Sequence, residues 1–260
     1  MKAKLILEYR GDDYCGFQNQ PGLSTVQGEL ENALKILFSG EYKKSGKLDP
    51  ITVSVSGSGR TDSGVHALAQ VVSFIMPADL EIPPTRLQSA LNGILPPGIA
   101  IRSTTFLDDN FDARRSANDK CYRYNILLRK TKPVLDFNRA WCVSPKIDIG
   151  SMIKAAQLFV GEHDFENFHA LDTDVKTSVR IISRSELCRI SQCELQYFVC
   201  GQGFLKQMVR RIVGALVAVG EGKLTPSDVH DLLTLNKSRA QLHIETAPAY
   251  GLYLKEVFYT

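Results

Sequence analysis

The residue whose setting most invites chemistry is Asp62. It lies in the glycine-rich stretch Gly57-Ser58-Gly59-Arg60-Thr61-Asp62-Ser63-Gly64-Val65-His66-Ala67, with Arg60 two positions ahead of the carboxylate. Glycine permits φ > 0 and lets a second molecule approach the backbone closely. An arginine beside an aspartate favours the ionised form and lowers the pKa by about 1–3. A carboxylate held ionised suits a nucleophile better than a general base, which works best with a pKa near the operating pH. The same residue types also make an ordinary β-turn with a surface ion pair. A phosphate-cradling loop fits less well. Gly57, Gly59 and Gly64 match neither the dinucleotide nor the Walker spacing, and no Lys-Ser or Lys-Thr follows.

Loops that carry catalytic side chains are positioned by the regular elements around them. Apolar strand-like runs flank this one, Ile51 to Ser56 before it and Ala67 to Met76 after it. Lys2 to Arg10 alternates as a strand, and Val26, Leu30, Leu34, Leu37 and Phe38 recur at helical spacing. Ser24 and Gln27 stand where a capping box would start that helix. Pro83 and Pro84 open a short helix towards Asn92, and Gly98 to Phe106 reads as a strand. The order is βαββαβ.

The second half repeats it. Ala117 to Leu128 is a strand, Ser151 to Val160 a helix, Val179 to Ile190 and Glu194 to Cys200 strands, and Phe204 to Val219 a helix. Thr225 as N-cap and Pro226 at the first helical position start one more helix, towards Leu235, before a last strand from Leu252 to Tyr259. This predicts an α+β protein of two ferredoxin-like halves, with antiparallel sheets packed around a central cleft. The halves are expected at 1–107, carrying Asp62, and 108–260, with the junction near Leu107 to Asn110.

The 260 residues are 44% hydrophobic and 23% charged, a globular composition that needs neither disulfide nor metal to form a core. The six cysteines show no C-x-x-C pair and no histidine at zinc spacing, which predicts reduced, mostly buried thiols and a cytoplasmic setting. The N-terminus lacks a signal-peptide core, and the apolar run Ile212 to Val219 is too short to span a bilayer. The net charge is only +3, but Asp112 to Lys132 carries a net +5. Gly201 to Gly220 holds Lys206, Arg210 and Arg211 with no acid. Such stripes either bind phosphates or form solvated faces.

The Asp62 string as a whole resembles the signature loop of the TruA-type tRNA pseudouridine synthases. Tyr9 to Gln20 is similar to that family's first motif, although Arg10 stands where an aspartate is expected. Gln70 to Phe74, Leu91 to Pro96, Phe111 to Arg114, Lys120 to Tyr124, Gly161 to Phe165, Gly203 to Leu205, Met208 to Gly214, Thr246 to Pro248 and Gly251 to Leu254 continue the resemblance along nearly the whole chain. It implies isomerisation of uridine to pseudouridine at positions 38, 39 and 40 of the tRNA anticodon arm, by a homodimer, without metal or organic cofactor. It implies Asp62 as nucleophile, with Arg60 pairing with it and helping to extrude the base. Tyr122 is implied to stack on the uracil, Leu252 to wall its pocket, and Arg210 to touch phosphate or orient Asp62. In a strand, Tyr122 and Tyr124 share a face; Tyr124 is assigned to the core, and His66 is left out of the chemistry. The rivals are a non-catalytic RNA-binding module, a related synthase acting on other uridines, and an Asp-nucleophile glycosidase. The last normally needs a second carboxylate, which the loop does not offer.

Overall fold

The computed structural model describes residues 1–44, 52–170, 175–238 and 244–259. The chain divides into two compact units, Met1–Asn118 with Leu254–Thr260, and Asp119–Tyr253.

The first unit opens with β1 (Lys2–Tyr9), whose alternate residues Ala3, Leu5, Leu7 and Tyr9 are buried. Helix α1 (Val26–Lys44) buries Val26, Leu30, Ala33, Leu34 and Phe38, one stripe at helical spacing. Then come β2 (Ser56–Gly57), β3 (His66–Ile75), α2 (Pro84–Ile94) and β4 (Ile99–Leu107). β1 lies between β3 and β4 and is antiparallel to both, and β2 pairs with β3. This is the strand order of a split βαββαβ unit.

Two expectations need correction here. The strand from Ile51 to Ser56 shrinks to Ser56–Gly57, with Ile51 outside the described residues. Val53 and Val55 are buried as the pattern demanded, but α1 side chains take the Val55 backbone. The Val55 N–H donates to Glu31 Oε1 (3.1 Å), and its carbonyl accepts from Gln27 Nε2 (3.2 Å). With Gln27 so engaged, the capping box at Ser24 does not form. Thr25 caps the helix instead, its hydroxyl accepting from the Gly28 N–H at 3.2 Å.

The second unit holds β5 (Ala117–Leu128), β6 (Trp141–Val143), α3 (Ile149–Gln157), β7 (Gly161–Asp164), β8 (Val179–Arg189), β9 (Glu194–Gly201), α4 (Met208–Gly220) and α5 (Pro226–Leu233). Its strand order is β5-β9-β8-β7, antiparallel throughout, with β6 parallel to β5. The final strand, β10 (Leu252–Tyr259), lies beside β3. The α+β class and mostly antiparallel pairing stand as expected, with β6 and β7 as short additions.

α4 starts at Met208, four residues later than expected. Gln207 takes a left-handed conformation (φ 60°), and the Lys206 carbonyl is held by the Ala170 N–H at 3.1 Å. Lys206 is therefore outside the helix that carries Arg210. α3 starts earlier than expected because Asp148 caps it, accepting from the Ser151 N–H at 3.1 Å. Thr225 caps α5 as predicted, with Asp228 completing a capping box.

The thiol expectation is met only in part: Cys15, Cys142, Cys188 and Cys193 are free, but none of them is buried. Cys121 and Cys200 face each other across β5 and β9, with Cα atoms 4.1 Å apart, and form a disulfide. Cys15 and Cys193 are exposed, and Cys142 and Cys188 are half-buried. The two buried cysteines are thus the bonded ones. Among the described residues no helix is long and apolar enough to cross a membrane.

Candidate active site

Asp62 lies in the loop between β2 and β3 and is half-buried, while Arg60 is exposed. The loop is held by the segment that follows β1. The Thr61 hydroxyl and the Tyr9 hydroxyl are 2.8 Å apart, and the Thr61 carbonyl accepts from the Phe17 N–H at 3.1 Å. Ser63 Oγ donates to the Tyr14 carbonyl at 3.2 Å. The Val65 N–H donates back to the Asp62 carbonyl at 3.1 Å, closing a turn at the carboxylate. Both neighbours of Asp62 in the chain are therefore tied to the Tyr9–Phe17 segment.

Gly11 makes this close docking possible. A Cβ there would lie 2.1 Å from the Val65 carbonyl oxygen, and no side chain fits. The Gly11 N–H donates to His66 Nδ1 at 3.0 Å. Because Nδ1 accepts, the neutral ring carries its proton on Nε2. His66 is buried, and Asp12 Oδ1 lies 3.6 Å from the same nitrogen. These contacts tie His66 to the Gly11–Asp12 segment.

The second unit holds Tyr122, Arg210 and Leu252. Tyr122 and Tyr124 are both buried on one face of β5. Tyr122 meets Phe204 edge to face, with ring centroids 5.0 Å apart. Tyr124 donates its hydroxyl to the Pro248 carbonyl at 2.8 Å, and burial pushes its pKa well above the ordinary tyrosine value. Arg210, on the first turn of α4, grips the same segment one residue earlier. Its Nε donates to the Ala247 carbonyl at 2.7 Å, and its own carbonyl accepts from the Ala247 N–H at 3.1 Å. A Cβ on Gly251 would fall 2.5 Å from Cζ of Tyr124, so only glycine lets the chain pass over that ring. Leu252 follows, buried at the start of β10. Tyr124, Arg210 and residues 247–252 thus come together, although they are far apart in sequence.

Sequence reasoning did not single out Tyr9, Thr61 and Gln70 as holding the Asp62 loop, nor Gly251 as the close contact of Tyr124. For Gln70 a signal existed: it is an amide in the middle of the apolar strand His66–Ile75, and a buried amide must find partners.

Residues 5–114 and 155–260 match a protein family described as tRNA pseudouridine synthase. The chain belongs to that family. It is 40% identical over 258 residues to tRNA pseudouridine synthase A 1 of Bacillus cereus, covering 99% of this chain and 98% of that one. It is 39% identical over 259 residues to tRNA pseudouridine synthase A of Bacillus subtilis, covering 100% and 99%. With the tRNA pseudouridine synthase A of Acetivibrio thermocellus it shares 41% identity over 257 residues, 99% of both chains. A solved Cbf5-Nop10-Gar1 complex overlaps 82% of this chain and 54% of the other chain at 12% identity. Its TM-score of 0.33 is too low to carry inference. As a tRNA pseudouridine synthase the protein is an isomerase. Its reaction breaks the N1–C1′ bond of uridine and joins C1′ to C5, with no atom gained or lost. Family membership removes the non-catalytic RNA-binding module and the glycosidase from the readings left open by the sequence.

Proposed function

We propose that this tRNA pseudouridine synthase acts on uridines 38, 39 and 40 of the anticodon arm, with Asp62 as its nucleophile. The observation that carries the assignment of Asp62 is its setting. It is a half-buried carboxylate whose preceding and following residues are both hydrogen-bonded to a second segment. A nucleophile gains from such fixing, because reacting groups held in near-attack geometry save entropy at the transition state.

Arg60, exposed two residues before it, meets the RNA and pairs with Asp62 as the base is extruded. A target base must leave the helical stack before chemistry can reach it. Tyr122 supplies the ring on which the uracil stacks. It is 7% exposed, so the base gains that ring only when its covering side chains shift. Phe204, half-buried and edge-on to Tyr122, is one of them. Leu252 walls the uracil pocket. Arg210 places the 247–252 segment that leads into it, its Nε donating to the Ala247 carbonyl. The protein works as a cytoplasmic homodimer binding tRNA.

The test is to incubate wild type and Asp62→Asn with unmodified tRNA carrying uridines at 38 to 40, and to map pseudouridine at single-nucleotide resolution. Product at those positions with the wild type alone is the expected result. Product at other uridines overturns the positional assignment, and product with Asp62→Asn overturns the nucleophile.

A further inference from the structure

We propose that Thr61, held by Tyr9 and Gln70, is the positioning residue that sets the direction of Asp62. This rests on the reading of Asp62 as the nucleophile.

The chain of contacts starts inside the sheet. Gln70 is fully buried on β3. Its Oε1 accepts from the Val71 N–H (3.2 Å) and from Ser58 Oγ (2.6 Å), and its Nε2 donates to the Gly59 carbonyl (3.0 Å). An N–H can only donate and a carbonyl can only accept, so the amide has one possible orientation. Nε2 also faces the Tyr9 hydroxyl at 3.5 Å, a long contact in which Tyr9 is the acceptor. The Tyr9 hydroxyl, which carries its own proton, and Thr61 Oγ1 lie 2.8 Å apart, and either can donate to the other. Burial pushes Tyr9 up to about 12, so its hydroxyl keeps that proton through the neutral range.

Thr61 is itself buried. Its hydroxyl is fixed by Tyr9 and its carbonyl by the Phe17 N–H. A residue held at both its side chain and its carbonyl has little freedom left in its backbone torsions. Those torsions set where the next Cα, and hence the Asp62 carboxylate, points. Gln70 pins the other end of the loop through Ser58 and Gly59. One buried amide thus ties the start of the loop, through Tyr9, to the residue beside the carboxylate. None of these side chains need touch the RNA, so the device acts on the chemical step and not on binding.

The experiment is single-turnover kinetics on tRNA with Thr61→Val, Thr61→Ser, Tyr9→Phe and the double variant Tyr9→Phe/Thr61→Val, with Asp62→Asn as reference and thermal melting alongside. A misplacement of about 1 Å at a reacting group can cost on the order of 100-fold in rate. Thr61→Val and Tyr9→Phe are expected to slow turnover about 10- to 100-fold with KM for tRNA unchanged. Thr61→Ser, which keeps the hydroxyl, restores most of the rate, and the double variant is no slower than the slower single. Wild-type rates in Thr61→Val and Tyr9→Phe, while Asp62→Asn is dead, overturn this inference alone. A KM that rises in step with the loss, or a serine variant as slow as valine, also overturns it. Full turnover in Asp62→Asn overturns the nucleophile reading and this inference with it. Should Thr61→Val fail to fold, Tyr9→Phe, which removes one oxygen, carries the test.

Discussion

The surroundings of Asp62 rest mainly on hydrogen bonds, whereas those of Tyr124 combine hydrogen bonds with close packing on a buried ring. Around Asp62 the loop is held by polar contacts: two hydroxyls 2.8 Å apart, a serine on a carbonyl, an amide buried among backbone groups. Around Tyr124 the supports are a buried ring, a glycine pressed on its face and an arginine closing over a carbonyl. Hydrogen bonds fix direction, because they fall off steeply with angle. Close packing fixes volume, and any added atom is felt at once. The first region should therefore lose chemistry before it loses stability, and the second should lose stability first.

The sharpest way to break this contrast is Asp62→Asn. Turnover is expected to fall by at least about 1,000-fold, roughly 4 kcal/mol of transition-state stabilisation. Its melting temperature should stay at the wild-type value, and tRNA affinity should change little because phosphate contacts supply most of the binding. A drop in melting temperature comparable to that of core variants would show that the loop is structural. Gly251→Ala probes the other side. Overpacking against Tyr124 should destabilise the protein by about 1–3 kcal/mol, read by denaturant unfolding. An unchanged midpoint would mean that the chain over the ring has slack.

Tyr122 sharpens the boundary between the two behaviours. Tyr122→Ala is expected to weaken tRNA binding or turnover by about 1–3 kcal/mol of lost base stacking, whereas Tyr122→Phe keeps most of it. Equal turnover and affinity in Tyr122→Ala and wild type would remove stacking from the mechanism. The smallest effect is expected at the surface of the second unit. Lys237 Nζ lies 2.6 Å from Asp228 Oδ1 and holds that carboxyl down at about 2, from an ordinary 3.8, with Thr225 assisting. A carboxylate depressed in the folded state stabilises it above its unfolded pKa, and the benefit is lost as pH falls through the folded value. The contribution should thus be complete above about pH 4 and fade towards pH 2. Both side chains are partly exposed, so solvent screening limits it to under about 1 kcal/mol. Acid titration of Asp228→Asn against wild type, followed by circular dichroism, checks it. A larger loss would mean that charge, not packing, secures this unit.

Much of the scaffold was legible because it depends on local periodicity. Alternation in Lys2–Tyr9 and the stripe in α1 report burial directly, and the last strand falls on Leu252–Tyr259 as read. What escaped depended on distant partners. Val55 reads as strand, yet Gln27 and Glu31 take its backbone groups. Phe204 to Gln207 reads as helix, yet Ala170 holds the Lys206 carbonyl outside it. Cys121 and Cys200 are 79 residues apart, and nothing in their spacing announces that strand register sets them face to face.

The sequence by itself determined the family, the Asp62 loop and nearly all the regular elements, because motif strings and hydrophobic period are written in neighbouring residues. Only the tertiary structure decided what each site residue leans on: Thr61 on Tyr9, Gly11 on His66, Arg210 on Ala247. The physical reason is that a hydrogen bond forms between groups brought within about 3 Å of each other. For residues tens of positions apart, that distance is set by strand register and helix packing, which no local pattern contains.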